Sequence, residues 1–214
     1  MRVVEIWRYP VKSMAGEPLE RAYVDYTAME GDRLAHVENA ARCLVTARTH
    51  PRLLGHRGTL DAEGEPLVDG EPWNAPSSQQ KVAQIAGPGA HLVRNEAGLA
   101  FDILPLLVAT DGAIAAFGHD RRRLRPNLVI GGVEGLAERE WPGRRLSIGE
   151  VRIGVRDLRA RCVMTTYDPD TLAQDREVLR GIVRQFEGRL ALNCFVAWPG
   201  WVRVGDAVEL IEGQ

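Results

Sequence analysis

Short runs of alternating apolar and polar residues dominate the chain, and glycine, proline or asparagine break them every few positions. Period-two alternation of this kind marks half-buried strands. Residues 2–9 (RVVEIWRY) predict a strand with Val4 and Ile6 on one face and Val3, Glu5 and Trp7 on the other, ended by Pro10. A return strand is predicted over 19–26, a turn at Gly31-Asp32, and strands near 33–38 and 43–48 joined by NAAR. Pro51 precedes an apolar RLLG segment, and AEGEP at 62–66 marks a turn between strands near 57–61 and 66–69. Residues 70–81 (GEPWNAPSSQQK) read as loop, which places a soft boundary near 70–100 and divides the chain into 1–85 and 86–214.

The second half opens with an apolar run, PLLVAT, in which Thr110 is placed to cap a short helix, DGAIAAFG. LVIGG (128–132) reads as a buried strand, and LSIGEVRIGV (146–155) as a hairpin turning at Gly149-Glu150. Val151, Ile153 and Val155 share a face, but beyond Asp157 the less polar positions are Leu158, Ala160 and Cys162. A strand changes faces only at a bend or an inserted residue, so a bulge is predicted near Asp157. Residues 172–186 give the best helix, with Leu179, Ile182, Val183 and Phe186 as its apolar stripe and Val178 beside it. Strands near 190–198, 201–204 and 207–211 finish the chain. Many short strands and two helices indicate a mainly β protein of barrel type.

At 214 residues and net charge −2, the composition exerts no bulk pull toward nucleic acid or anionic membrane. No stretch approaches the roughly 18 apolar residues of a membrane span, and charges at Arg2, Glu5 and Arg8 interrupt any signal-peptide core. A cytoplasmic protein is expected. Cys43, Cys162 and Cys194 are too few and scattered for a disulfide framework, and the absence of CxxC excludes a local four-cysteine zinc or iron–sulfur site.

Residues 157–171 (DLRARCVMTTYDPDT) gather a thiol, guanidinium groups, hydroxyls and carboxylates. A free cysteine is most often a buried structural thiol, and that reading holds for Cys43. Arg159 and Arg161 would favour the thiolate of Cys162, the form that ligates or attacks. In a regular strand both would point away from it, so the break near Asp157 is part of the case. Asp168 and Asp170 make either a carboxylate pair or the cap of the loop before the helix.

Six motifs run nearly end to end: YPVKS (9–13), GDR (31–33), VTAR with PRL (45–53), RPNLVIGG (125–132), RC..TT.DPDT (161–171) and PG..VRVGD (199–206). In this order they resemble the MOSC family, related to the C-terminal domain of molybdenum cofactor sulfurase. Within it they resemble most the mitochondrial amidoxime-reducing components and their bacterial relatives. The resemblance implies an N-terminal MOSC β-barrel-like region (1–85) and a MOSC barrel (86–214), with molybdenum cofactor bound between them. Its motifs carry over Cys162 as the metal ligand. They also carry over Lys12, Ser13, Arg33, Arg125, Asn127 and Arg161 as cofactor-binding residues, with Arg48 a further candidate. Soft, sulfur-rich coordination suits a cysteinate, and Arg suits a terminal phosphate. Two positions depart from the family's pattern. Its polar T-S-P segment is Ile103-Leu104-Pro105 here, and a late cofactor-contacting tyrosine aligns with Cys194.

The function implied is molybdenum-dependent reduction of small N-hydroxylated or N-oxygenated compounds, such as amidoximes, hydroxylamines and N-hydroxylated bases. Asp168 or Asp170 would then position substrate or relay protons as a catalytic group. Electrons would come from an external reductase or small carrier, since no flavin, haem or cluster motif is present. A second reading is a persulfide or cofactor carrier using Cys162. A third is a relic without cofactor.

Overall fold

Turns at the glycine- and proline-marked positions cut the chain into sixteen short strands and three α-helices among the described residues, which are 1–95 and 101–213 of a computed structural model. The first half holds β1 (Arg2–Arg8), β2 (Glu17–Leu19), β3 (Arg21–Val24), β4 (Ala35–Glu38), β5 (Leu44–Val45), β6 (Gly58–Leu60), β7 (Pro66–Val68), β8 (Glu71–Pro72) and α1 (Pro76–Ala86). The rest of the chain holds β9 (His91–Arg94), β10 (Leu106–Thr110), α2 (Asp111–Phe117), β11 (Leu128–Gly131), β12 (Arg145–Ile148), β13 (Val151–Ala160), α3 (Arg176–Phe186), β14 (Arg189–Trp198), β15 (Gly200–Arg203) and β16 (Val208–Ile211).

The protein is mainly β. Eight strands form one sheet in the order β16-β12-β13-β14-β10-β11-β1-β2, parallel only at β10–β11, where α2 makes the crossover. Its inner face buries Ile6, Leu106, Leu128, Ile130, Leu146 and Ile153. β1 pairs with β11, so the first strand belongs to a sheet built mostly by the second half. The strands β4, β5 and β9 and the meander β6–β8 enclose a second core around Val11, Met14, Val37, Leu53 and Val82. α2 and α3 bury a third cluster, with Phe117, Val178, Ile182 and Phe186.

The expected barrel is corrected to a curled sheet whose ends touch without a closing ladder among the described residues. Val3 N donates to Asp206 O (2.9 Å), Gly205 N to Val3 O (2.8 Å) and Val208 N to Met1 O (2.9 Å). These bonds flank one isolated bridge, Arg2 to Ala207. β2 takes the same free edge of β1 from Ile6 to Arg8, which leaves only its first residues to meet β16.

Three other expectations change. The register of β1 on β11 slips between Val3 and Glu5, so Val3 and Ile6 are both buried, in place of Val4 and Ile6. Residues 76–81, read as the end of a loop, form α1 together with 82–86. Proline opens this helix, and it buries only Ser78 and Val82, so its pattern is faint. Residues 96–100, within the expected boundary region, lie outside the described residues. α3 begins at Arg176, capped by Asp175, and buries Val178, Ile182 and Phe186; Val183 is 56% exposed. The bulge expected near Asp157 is present, since β13 slips on β14 between Val155 and Asp157 and again between Leu158 and Ala160. Thr110 caps α2 as expected, its side chain accepting from Ala113 N.

Candidate functional site

The two slips carry the end of β13 away from the sheet's core, and Cys162 follows it. Asn193 on β14 braces the distorted stretch, its Nδ2 donating to Asp157 Oδ1 (2.5 Å) and its Oδ1 accepting from Arg159 Nη1 (3.2 Å). Cys162 is half-buried and begins a 3-10 turn over Val163–Thr166. The two threonines bond within this turn: Thr165 Oγ1 donates to Cys162 O (2.8 Å) and Thr166 Oγ1 to Val163 O (2.7 Å). Their hydroxyl protons are therefore turned away from any ligand.

Cys162 opens on a cavity of about 240 Å³. Arg33, Arg48, Arg123, Arg125, Arg159 and Arg161 line it, with Asn127 and Asp102. A small crevice continues it to Lys12 and Ser13, sharing Arg33, Arg48, Asp102 and Arg125. Thus every residue carried over as metal- or cofactor-binding lies along one connected space. Left-handed backbone aims three of them, with φ of +71° at Ser13, +54° at Arg33 and +58° at Arg125. Non-glycine residues rarely adopt such angles, and three of the eight that do so among the described residues face the cavity or its crevice.

The carried-over residues differ in what they have left to offer. Arg161 is half-buried, its Nη2 donating to Leu124 O (2.7 Å) while its buried Nε finds no partner. Burial and the neighbouring Arg159 pull its guanidinium down to about 10. Arg125 is likewise pulled down to about 10 by burial, against Tyr9 and despite Asp32. Its guanidinium lies 4.3 Å from the centre of the Tyr9 ring. Asn127 is committed to the framework. Its Nδ2 donates to Trp7 O and Asp32 Oδ2 (both 3.2 Å), and its Oδ1 accepts from Leu107 N (3.1 Å). Ser13 Oγ accepts from Ala47 N (3.0 Å).

Two carboxylates absent from the sequence-based set organise these cations. Asp32 is buried and accepts from Tyr9 N (2.6 Å), Asn127 Nδ2 and Arg33 Nη1. Burial raises its pKa in spite of those donors. Asp102 accepts from Lys12 Nζ (2.7 Å), Arg48 Nη2 (2.6 Å) and Arg159 Nη2 (3.3 Å). Burial pulls the Lys12 ammonium below its ordinary value, opposed by Asp102. Burial also opposes the charge of Arg48, but Asp102 and Cys162 together hold its pKa above the ordinary value. The one signal for Asp102 was a single charge inside an apolar run, LAFDILPLL.

Asp168 and Asp170 do not line the Cys162 cavity. Asp168 Oδ1 accepts from Asp170 N and Thr171 N, and its Oδ2 from Arg123 (3.0 Å). Asp170 takes both arms of Arg122 (2.8 and 2.6 Å). The expected catalytic placement beside Cys162 is replaced by a turn and two ion pairs. Cys194 is buried in the core, where burial pushes its thiol well up, and its neighbour Asn193 faces the cavity instead. Cys43, read as a buried structural thiol, is exposed. Ile103 and Leu104 line the cavity and bring no hydroxyl to it.

The arrangement offers one thiol, a buried guanidinium nitrogen without a partner, and a row of cations sharing a few carboxylates. Among the described residues no three His, Cys, Asp or Glu side chains stand together as a metal site. Such a donor set suits a polyanionic group that brings most of its own metal ligands.

Comparison with known proteins gives two family matches. The family pattern of the MOSC N-terminal beta barrel domain matches residues 1–86, and that of the MOSC domain matches residues 112–209. The chain is 26% identical to human mitochondrial amidoxime-reducing component 1, over 98% of this chain and 82% of that protein. It is 34% identical to molybdenum cofactor sulfurase of Bombyx mori, over 41% of this chain and 10% of that protein. The crystal structure of the YuaD protein from Bacillus subtilis shares the fold, with TM-score 0.55, 14% identity, and coverage of 100% of this chain and 96% of that one.

Proposed function

The chain belongs to the MOSC domain family, and on that premise we propose that it holds a molybdenum cofactor through Cys162 and reduces small N-hydroxylated or N-oxygenated compounds. The observation that carries this reading is the buried, unpartnered Nε of Arg161, in a cavity that Cys162 shares with five more arginines. A buried donor without an acceptor costs about 1–3 kcal/mol, which an anionic ligand recovers.

Cys162 supplies the protein's sulfur to the metal. Lys12, Arg48 and Arg159 take negative charge, and the crevice at Lys12 and Ser13 suits the cofactor's phosphate. Arg33 and Arg125 flank Tyr9 and cover the space between. When bound, the cofactor would supply the two-electron chemistry that removes the substrate's oxygen. The overall change consumes two electrons and two protons and releases water, for example from an amidoxime to an amidine. In this reading Asp168 and Asp170, which do not line the cavity, act only through the arginines they hold, Arg123 and Arg122. An external reductase or small carrier would supply the electrons.

The test is molybdenum content of protein made in a cofactor-competent host, with amidoxime reduction by reduced viologen as the activity. Near-stoichiometric metal that is lost in Cys162→Ser supports the reading. A second reading, a persulfide or cofactor carrier, draws on the half-exposure of Cys162 beside cations. Metal-free protein with cyanide-releasable sulfur on Cys162 would replace the first reading by the second.

A further inference from the structure

A second, larger cavity of about 370 Å³ lies against the first. Trp7 and Tyr9, at the end of β1 and just beyond it, form one side. Met164 and Tyr167, of the 3-10 turn after Cys162 and the loop beyond, form another. Arg125 and Met164 line both cavities, so the two share a wall. Cys162 and Asp102 face only the first, and none of the metal-holding roles above needs the second.

The polar groups around this space fall into two sets. Trp7 Nε1 donates to Glu5 Oε2 (2.7 Å) and Tyr9 Oη to Pro126 O (3.1 Å), so both aromatics have their polar ends engaged; Arg33 and Arg125 lie over the Tyr9 ring and Arg121 5.8 Å from the centre of the Trp7 ring. Arg122 is held by Asp120 and Asp170, and Arg123 by Asp168. Against these, the side chains of Arg57 and Arg125 and the Tyr167 hydroxyl have no hydrogen-bond or ion-pair partner among the described residues. Arg125 has only the face of Tyr9 beneath it. The cavity therefore joins flat apolar walls to two unspent guanidinium groups and a phenol.

We propose that this cavity binds a planar aromatic acid of one or two rings. The ring lies against Trp7 and Met164, which favour aromatic partners through stacking and sulfur contacts. The carboxylate is taken by Arg125, with Arg57 at the rim, since Arg forms charge-assisted paired bonds to carboxylates. The volume is near the lower end, about 300 Å³, of small-molecule pockets, which sets the limit on ring count. The site stands without the molybdenum reading. If both hold, the two ligands share Arg125, and an aryl group bound here rests one side chain, Met164, away from the Cys162 cavity.

Isothermal titration of cofactor-free protein with 2-naphthoate tests it. The expected result is one saturable site, with the neutral naphthalene-2-methanol binding about tenfold or more weaker. Ala15→Phe fills the cavity without removing any partner and abolishes binding. Arg57→Gln, at an exposed position, weakens it about threefold or more and serves if the filled variant does not fold. Arg159→Gln, which alters only the Cys162 cavity, leaves affinity within about twofold. No saturable binding, or equal binding of the alcohol, overturns the proposal. So does loss of binding in Arg159→Gln with retention in Ala15→Phe, which would place the probe in the Cys162 cavity. None of these outcomes depends on metal or on reductase activity.

Discussion

Asp102 Oδ1 stands 2.7 Å from Lys12 Nζ, although ninety residues separate the two in the chain. The same carboxylate also serves Arg48 and Arg159. One internal anion thus neutralises three cations that the proposed function assigns to an external one.

Competition between the two anions has a measurable consequence. In cofactor-free protein, Asp102→Asn is expected to raise affinity for inorganic pyrophosphate about tenfold, because the cations are released. Calorimetric titration checks it. Unchanged or weaker affinity would show that Asp102 orders the cations and does not occupy their ligand's place.

Acid sensitivity follows from the same carboxylate. Burial pulls Asp102 upward, but Lys12 and Arg48 outweigh it and hold the group at about 2, against 3.8 when free. A depressed folded value means that the unfolded chain takes up the proton first as pH falls. The contribution to stability is complete above about pH 4 and is lost as pH falls toward about 2. The Tm advantage of wild type over Asp102→Asn should accordingly be constant near neutrality and vanish across that window. Curves that remain parallel down to pH 2 would rule the linkage out.

Removing the charge of Asp168 separates a turn from a catalytic acid. A positioned general acid contributes about 10²–10⁴ in rate. Asp168 does not line the Cys162 cavity and binds Thr171 N, Asp170 N and Arg123, which does. Viologen-driven amidoxime reduction by Asp168→Asn should stay within about threefold of wild type. A loss of a hundredfold or more would return Asp168 to the chemistry.

The phase of α3 is open to a stability test. Ile182 is 1% exposed and Val183 56%. Ile182→Ala should cost about 2–5 kcal/mol, whereas Val183→Ala should stay within about 0.5 kcal/mol. Urea denaturation of the two variants measures both. Equal losses would put Val183 in the buried stripe, as its spacing in the sequence suggests.

Most strand positions, the Gly149-Glu150 hairpin, the cap at Thr110 and the break near Asp157 were legible in the sequence, whereas β8 and β9 were not. Each is written in local chemistry, as an alternation, a turn residue or a change of face within a few positions. The motif residues, from Lys12 to Cys162, could likewise be named one by one. Where alternation met an unannounced bulge at Val3–Glu5, the prediction chose the wrong face, because a bulge depends on the partner strand. α1 was missed because a proline-led helix with two buried residues carries almost no period. Which arginines remain unspent, that Asn127 is locked to Asp32 and Trp7, and that Asp102 reaches Lys12 were decided by tertiary structure alone. A side chain's type sets what it can bind, but the partners that compete for it come from distant parts of the chain, and only folding brings them within hydrogen-bonding range.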